Sequence, residues 1–194
     1  MIIIEAIILA GGYSSRSNCN KMLLEFEGKP IIMHVVDTFK SVCSRVIVVT
    51  GHYHKELSVV LKDLDKVTIV ENENYPLGMF SSVMKGVVES SENFFLLPGD
   101  IPLIKEDVLQ KLLEAEGVIR VPSHNNKLGH PIYIDRSLKM ELLNEPIDSN
   151  LKTFRNKHQI TYVTVDDLGI LIDIDTQEDY KNLKEMERNN NHEC

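Results

Sequence analysis

None of the three cysteines, Cys19, Cys43 and Cys194, stands in a C-x-x-C pair, so the chain carries no zinc-ribbon or thiol-redox motif. Their odd number and wide spacing suit a reducing cytoplasm. No apolar run approaches the ~18 residues of a membrane span. The apolar start lacks a basic segment and is interrupted by Glu5, so it reads as a first strand and not as a signal peptide. Basic residues are in deficit: the net charge is -8 and no long basic run occurs. That balance argues against nucleic acid or an anionic membrane as partner. A phosphorylated ligand must then meet a local positive site or a bound metal.

Three nucleotide or nucleophile signatures are also missing. The first glycine loop reads Gly11-Gly12-x-x-x-Arg16 and not G-x-G-x-x-G. Gly28-Lys29 runs into Pro30 and has no glycine five residues earlier, so it is no P-loop. No G-x-S-x-G elbow exists.

What is present is a set of strands that each end in an informative loop. At 194 residues the chain reads as one domain over 1–187, with a polar, Asn-rich tail expected to fray over 188–194. The apolar run through Ile7-Ile8-Leu9-Ala10 stops at Gly11-Gly12, then gives Ser14, Ser15, Arg16 and, ten residues after Gly11, Lys21. A short apolar run bounded by glycine reads as a buried strand. The paired glycines allow either a plain sharp turn or a backbone cradle for phosphates, with Arg16 and Lys21 supplying charge.

Pro30 opens an amphipathic helix carrying Ile31, Ile32, Val35, Val36 and Phe39. Arg45 to Gly51 is a second buried strand; a helix over Glu56 to Leu64 and a strand over Val67 to Val70 follow. His34, His52 and His54 read as packing or loop residues, having no partners at zinc spacing. Strand and helix alternating at these lengths indicate βαβ units and a mainly parallel sheet.

Residues 72–82 form a polar loop with Pro76 and Gly78, after which Ser81 and Ser82 open a helix. Serines there can cap the helix or contact an anion. Phe94 to Leu97 is an apolar strand that delivers Asp100 onto a loop bracketed by Pro98-Gly99 and Pro102. A carboxylate at the carboxyl end of a parallel strand can hold Mg²⁺ or cap the next helix. His130 is fixed between Gly129 and Pro131, in the turn between strands at Val118 to Pro122 and Ile132 to Ile134. Asp173 and Asp175 alternate with isoleucine at strand period, which puts both on one side, and Thr176 with Glu178 and Asp179 makes a helix start.

Taken in order, these segments resemble the MobA-like nucleotidyltransferases, and within them the molybdenum cofactor cytidylyltransferase branch. The resemblance is carried by Leu9-Ala10-Gly11-Gly12 with Ser14, Ser15 and Arg16, by Lys21-Met22-Leu23-Leu24 and by Gly28-Lys29-Pro30. It continues through Gly78-Met79-x-Ser81-Ser82, Gly99-Asp100-x-Pro102-Leu103, Gly129-His130-Pro131 and Asp173-Ile174-Asp175-Thr176-x-Glu178-Asp179-Tyr180. It implies a three-layer α/β/α Rossmann-like sandwich of the nucleotide-diphospho-sugar transferase type. It implies transfer of a nucleoside monophosphate, CMP from CTP, to the terminal phosphate of molybdopterin cofactor, with release of pyrophosphate.

In that picture Leu9, Ala10, Gly11, Gly12, Ser14, Ser15, Gly78, Ser81 and Ser82 would bind nucleotide. Lys21, Arg16 and Asp100 would be the catalytic set, Asp100 with Asp173 or Asp175 would hold Mg²⁺, and His130 would face the acceptor. A molybdenum hydroxylase or its accessory proteins would be the protein partner. The chain departs from the branch at Gly11, where Leu-Ala-Ala-Gly is usual, at Asn20, where proline precedes the lysine, and at Gln177, where proline is common. Glycine at position 11 also fits the guanylyl branch and sugar-phosphate enzymes. GTP, another phosphorylated acceptor, or a non-catalytic cofactor-delivery role therefore stay open at this point.

Overall fold

The computed structural model describes residues 3–12 and 20–190. Within these residues, ten strands and seven α-helices follow in chain order. They are β1 (Ile4–Ala10), β2 (Glu25–Phe26), β3 (Lys29–Pro30), α1 (Ile31–Val42), β4 (Arg45–Thr50), α2 (His54–Leu61), β5 (Val67–Glu71), α3 (Met79–Glu89) and β6 (Asn93–Pro98). The second half has α4 (Glu106–Glu114), β7 (Ile119–His124), β8 (Lys127–Leu128), β9 (Ile132–Ile134), α5 (Lys139–Leu143), α6 (Leu151–Arg155), β10 (Ile160–Thr164) and α7 (Gln177–Asn190).

The main sheet runs β10-β7-β9-β6-β1-β4-β5, with β8 hydrogen-bonded to β7, and β2-β3 form a separate hairpin. Strands β6, β1, β4 and β5 are parallel, as are β7 and β10. β9 runs antiparallel to both β6 and β7. Alternation along the strands sorts the core onto two faces. Ala6, Ile8, Val46, Val48, Phe95 and Leu97 pack with α1, α2 and α4. Ile7, Leu9, Ile47, Val49, Phe94 and Leu96 pack with α3, α5 and α6. The result is the expected three-layer sandwich around a mostly parallel sheet.

The strand order reverses at β1. The chain passes from β1 to β4 and β5 on one side, then α3 carries it back to β6 on the other. In open α/β sheets the crevice at such a switch point, beyond the carboxyl ends of the strands, is where ligands bind. Close packing holds α3 there: a Cβ on Gly86 would lie 2.4 Å from Ile7 Cγ2. At the opposite end of the sheet the buried Glu5 carboxylate accepts hydrogen bonds from the Ser91 and Glu92 amides at 2.7 and 3.2 Å. Arg120 is equally structural. Its Nε donates to Gly117 O at 2.8 Å, Nη1 donates to Leu112 O at 2.8 Å, and the guanidinium lies 4.0 Å from the Tyr133 ring centre.

Three expectations are corrected. Asp173 and Asp175 are not in a strand. Asp167 caps a 3₁₀ turn at Leu168–Leu171, and the Ile174 amide donates to Asp100 O at 3.0 Å instead of to a neighbouring strand. The helix expected from Glu56 is α2, one turn shorter at its end and beginning at His54. Residues 188–190, expected to fray, are helical, because α7 continues through Asn190 on a run of strong helix formers ending in Arg188, whose charge suits a helix C-terminus. Residues 191–194 lie outside the described residues.

Candidate active site

β1 and β6 end side by side, with Leu9 opposite Pro98, and the Gly99 amide donates to Leu9 O at 2.9 Å. Directly beyond them lies a cavity of about 400 Å³. Its walls are Leu9 to Gly12 from β1 and its loop, Lys21, the segment at Gly78, Met79 and Ser82, then Pro98 and Asp100, and Asp175. The volume is of the size that takes a small organic ligand. The two glycines have different surroundings. A Cβ on Gly11 would lie 2.8 Å from Ser82 Oγ, so a side chain there would have to displace that hydroxyl. A Cβ on Gly12 would meet no described residue within 4 Å. The phosphate contacts expected of Ser14, Ser15 and Arg16 lie outside the described residues.

Lys21 opens a 3₁₀ turn capped by Asn20, whose Oδ1 accepts from the Met22 amide at 3.2 Å. This turn aims Lys21 at the carboxylates. Its Nζ is 2.5 Å from Asp100 Oδ2 and 2.6 Å from Asp175 Oδ1. Burial pulls the Lys21 pKa down, but Asp100 and Asp175 outweigh it, so the ammonium is held above the ordinary lysine value of 10.5. Asp100 is itself buried, and its second oxygen, Oδ1, has no hydrogen-bond partner among the described residues. Such an orphaned carboxylate oxygen is costly unless something else binds it. Asp173 belongs to the same field. Its carboxyl is pushed above 3.8 by burial, then by Asp175 and Asp100, and Lys21 only partly offsets this. The cluster thus concentrates negative charge around one lysine at the mouth of the cavity.

The loop over 72–82 forms the facing wall. Gly78 sits at φ +100°, which a side chain would strain. The buried Asn72 amide donates to Ser81 Oγ and Ser82 Oγ at 2.9 and 3.0 Å. The Ser81 hydroxyl is used inside the loop, at 2.9 Å from Asn74 O and 2.8 Å from Gly78 O, and stands behind the cavity wall. Ser82 lines the cavity. Neither serine is the cap of α3, which begins at Met79 after Gly78. Asn72 and Tyr75 were not singled out in the sequence. Asn72 positions Ser82 and Tyr75 lines the cavity, and the only sequence signal for either was the polar loop that contains them.

His130 is not on the cavity wall. Its amide donates to Ile170 O at 3.0 Å, and its ring Nδ1 is buried without a partner among the described residues. Burial, then the charge of Arg155, depresses its pKa to about 4 against an opposing pull from Asp173, so the ring is neutral at physiological pH. The helix start at Thr176 is as expected. The Asp179 amide donates to Thr176 Oγ1 at 3.1 Å and the Thr176 amide donates to Asp179 Oδ2 at 2.7 Å, a capping box that fixes Asp175 beside Lys21.

Fold and site together define an α/β protein with a cavity at its switch point, walled by a glycine loop and by a lysine held between two carboxylates. The chain matches the MobA-like NTP transferase domain over residues 6–161 and belongs to that family. It is a nucleotidyltransferase. It is 32% identical over 188 residues to a molybdenum cofactor cytidylyltransferase of Escherichia coli (strain K12), spanning 95% of this chain and 97% of the relative. A nucleotidyl transferase from Methanothermobacter superposes with a TM-score of 0.83 at 20% identity, covering 97% of this chain and 99% of the other. A molybdopterin-guanine dinucleotide biosynthesis protein A from Archaeoglobus fulgidus superposes at 0.71 with 17% identity, covering 94% and 97%. Among the described residues no helix is long and apolar enough to cross a membrane.

Proposed function

We propose that the protein transfers CMP from CTP to the terminal phosphate of molybdopterin cofactor, releasing pyrophosphate. The observation that carries this reading is the Lys21–Asp100–Asp175 cluster beside the glycine-walled cavity, in a chain related along nearly its whole length to a cytidylyltransferase. An oxygen of the acceptor phosphate forms a bond to the α-phosphorus of CTP. The bond from that phosphorus to the α–β bridging oxygen breaks, and pyrophosphate carries away the electron pair. The nucleophile is already an anion, so no general base is needed and catalysis is positioning with charge neutralisation.

Each residue has a task in this reading. Gly11 and Gly12 let the backbone come close to the triphosphate, with Ser14, Ser15 and Arg16 beside it. Lys21 leaves its carboxylates to neutralise the charge that builds on the leaving pyrophosphate. Gly78 and Ser82 form the wall against the nucleoside, and His130 faces the acceptor.

Among the described residues no three His, Cys, Asp or Glu side chains group tightly enough to hold a metal by themselves. Mg²⁺ does not require that, since it is commonly held by one or two carboxylates with the substrate's phosphates supplying the rest. The unpartnered Oδ1 of Asp100 and the half-exposed Asp175 carboxylate are hard oxygen donors that fit it. When bound it would neutralise phosphate charge and polarise the reacting centre. The test is a panel of the four NTPs with Mg²⁺ and molybdopterin cofactor, read as pyrophosphate release. CTP is expected to be used well ahead of the others; preference for GTP would move the chain to the guanylyl reading.

A further inference from the structure

A second cavity, of about 270 Å³, opens beside the first. Among the described residues the two share only Lys21 and Asp175 as walls, so the 2.6 Å ion pair between those side chains is the partition between them. The tasks given to the glycine loops and to Asp100 leave this second space unused. Its character also differs. The first cavity is walled by backbone and charge, whereas the second has a floor of Leu24, Ile174 and the Tyr180 ring.

That floor is held in place from several sides. Leu24 closes the 3₁₀ turn that Lys21 opens, so lysine and floor come from one short segment. Ile174 is buried with Phe26, Ile31 and Leu183, and Leu24 and Tyr180 pack partly buried on the same cluster. The Tyr180 hydroxyl donates to Glu25 O at 2.6 Å, which pins the ring between α7 and the β2-β3 hairpin. Polar groups stand only at the rim. Gln177 and Lys181 are exposed on the first turns of α7, and the Lys181 ammonium is 3.8 Å from a Glu178 carboxylate oxygen. The Thr176 hydroxyl is already spent in the capping box. An apolar floor with an aromatic side chain and a few polar groups around it is the usual make-up of a site for a small organic ring.

We propose that this groove holds the ring system of the acceptor: a flat heterocycle with apolar faces and hydrogen-bonding edges, which in the transferase reading is the pterin. Leu24, Ile174 and Tyr180 cover its faces, and Gln177 and Lys181 meet its edge. The space is at the low end of ligand pockets, which suits a ring and not a whole nucleotide. With the nucleotide on the glycine side and the ring on the Tyr180 side, the phosphates of the two substrates meet at Lys21. On leaving Asp175 for those phosphates, Lys21 opens the partition. The identity of the acceptor rests on the proposed transferase reading; the preference of the groove for a flat heterocycle does not.

Binding is tested without turnover. Neopterin at a fixed low concentration is titrated with the intact protein and followed by the anisotropy of its own fluorescence. Saturable binding is expected, unchanged by CTP and weakened about tenfold or more in Gln177→Trp, which fills the groove from an exposed position. Tyr180→Ala and Tyr180→Phe both lose the hydroxyl bond to Glu25, so the difference between them reads the ring. The alanine variant is expected to bind about tenfold more weakly than the phenylalanine variant. No binding to wild type, displacement by CTP, or equal binding in wild type and Gln177→Trp overturns the proposal. In turnover, Gln177→Trp is expected to raise KM for molybdopterin cofactor about tenfold while KM for CTP stays within about twofold. A rise in KM for CTP instead overturns the assignment to the acceptor. If wild type makes no dinucleotide, the transferase reading fails and the neopterin titration alone decides the groove.

Discussion

Replacing Lys21 by alanine should hurt the fold modestly and the reaction severely. Nζ bridges Asp100 and Asp175 at 2.5 and 2.6 Å, so two charge-assisted hydrogen bonds vanish together. Each is worth about 1.5–3 kcal/mol in a buried setting. The full sum does not apply, because the Asp175 side chain is 47% exposed and water replaces its partner. Asp100, 10% exposed at its side chain, keeps a charge it can no longer neutralise. A net loss of about 2 kcal/mol at pH 7 follows, or roughly 4–8 °C in Tm for a chain of this size. The sign with pH is fixed by Lys21, whose folded pKa is raised. Its contribution is complete below the unfolded value of 10.5 and is lost as pH rises through the folded one, so on the alkaline side the two melting curves should converge above pH 10.5. Adding Asp100→Asn should recover part of the loss, with a coupling of about 1–3 kcal/mol. For the reaction, kcat/KM for the nucleotide should fall about 10²–10³-fold. Thermal denaturation and steady-state kinetics on the three variants suffice. Unchanged nucleotide kinetics, or additive stability effects, would refute the role given to this lysine.

Further outcomes are expected. Asp100→Asn should keep a native melting transition and abolish pyrophosphate release; release near the wild-type rate would remove Asp100 from the centre. Asp173→Asn should raise Tm at pH 7, because the ionised carboxylate is disfavoured in the fold, and the gain should fade as pH drops through a folded pKa lying above 3.8. A gain that grows in acid would reverse the assigned sign. Gly86→Ala should destabilise by about 1–3 kcal/mol from overpacking against Ile7 and Val49, offset by up to about 1 kcal/mol of helix propensity, whereas Gly12→Ala should leave Tm unchanged and raise KM for the nucleotide. Equal melting losses in the two alanine variants would contradict the packing described.

The parts of the site that could be read from sequence are those written locally. β1 ends in Gly11-Gly12 and β6 ends in Pro98-Gly99-Asp100, and in a parallel sheet two such ends are brought to one edge by topology alone. Thr176 with Asp179 is another local signal, and its capping box forms. Asp173 and Asp175 misled because alternation with isoleucine is also what a chain shows when it crosses the ends of strands and buries every second side chain. Ile174 is buried, and its amide is spent on Asp100 O. Ser81 looked like a cap or an anion contact, but Asn72 and the carbonyls of its own loop claim the hydroxyl. The meeting of Lys21 with Asp175, 154 positions apart, leaves no trace in spacing.

The central claim is that the switch-point cluster moves a nucleoside monophosphate. Its most direct test is CTP labelled at the α-phosphate, incubated with the protein, Mg²⁺ and molybdopterin cofactor. The label should appear in a dinucleotide product with one pyrophosphate released per label incorporated. Label that stays in CDP while the γ-phosphate moves, or label that stays in CTP with pterin acceptor present and the other NTPs equally unused, would contradict it.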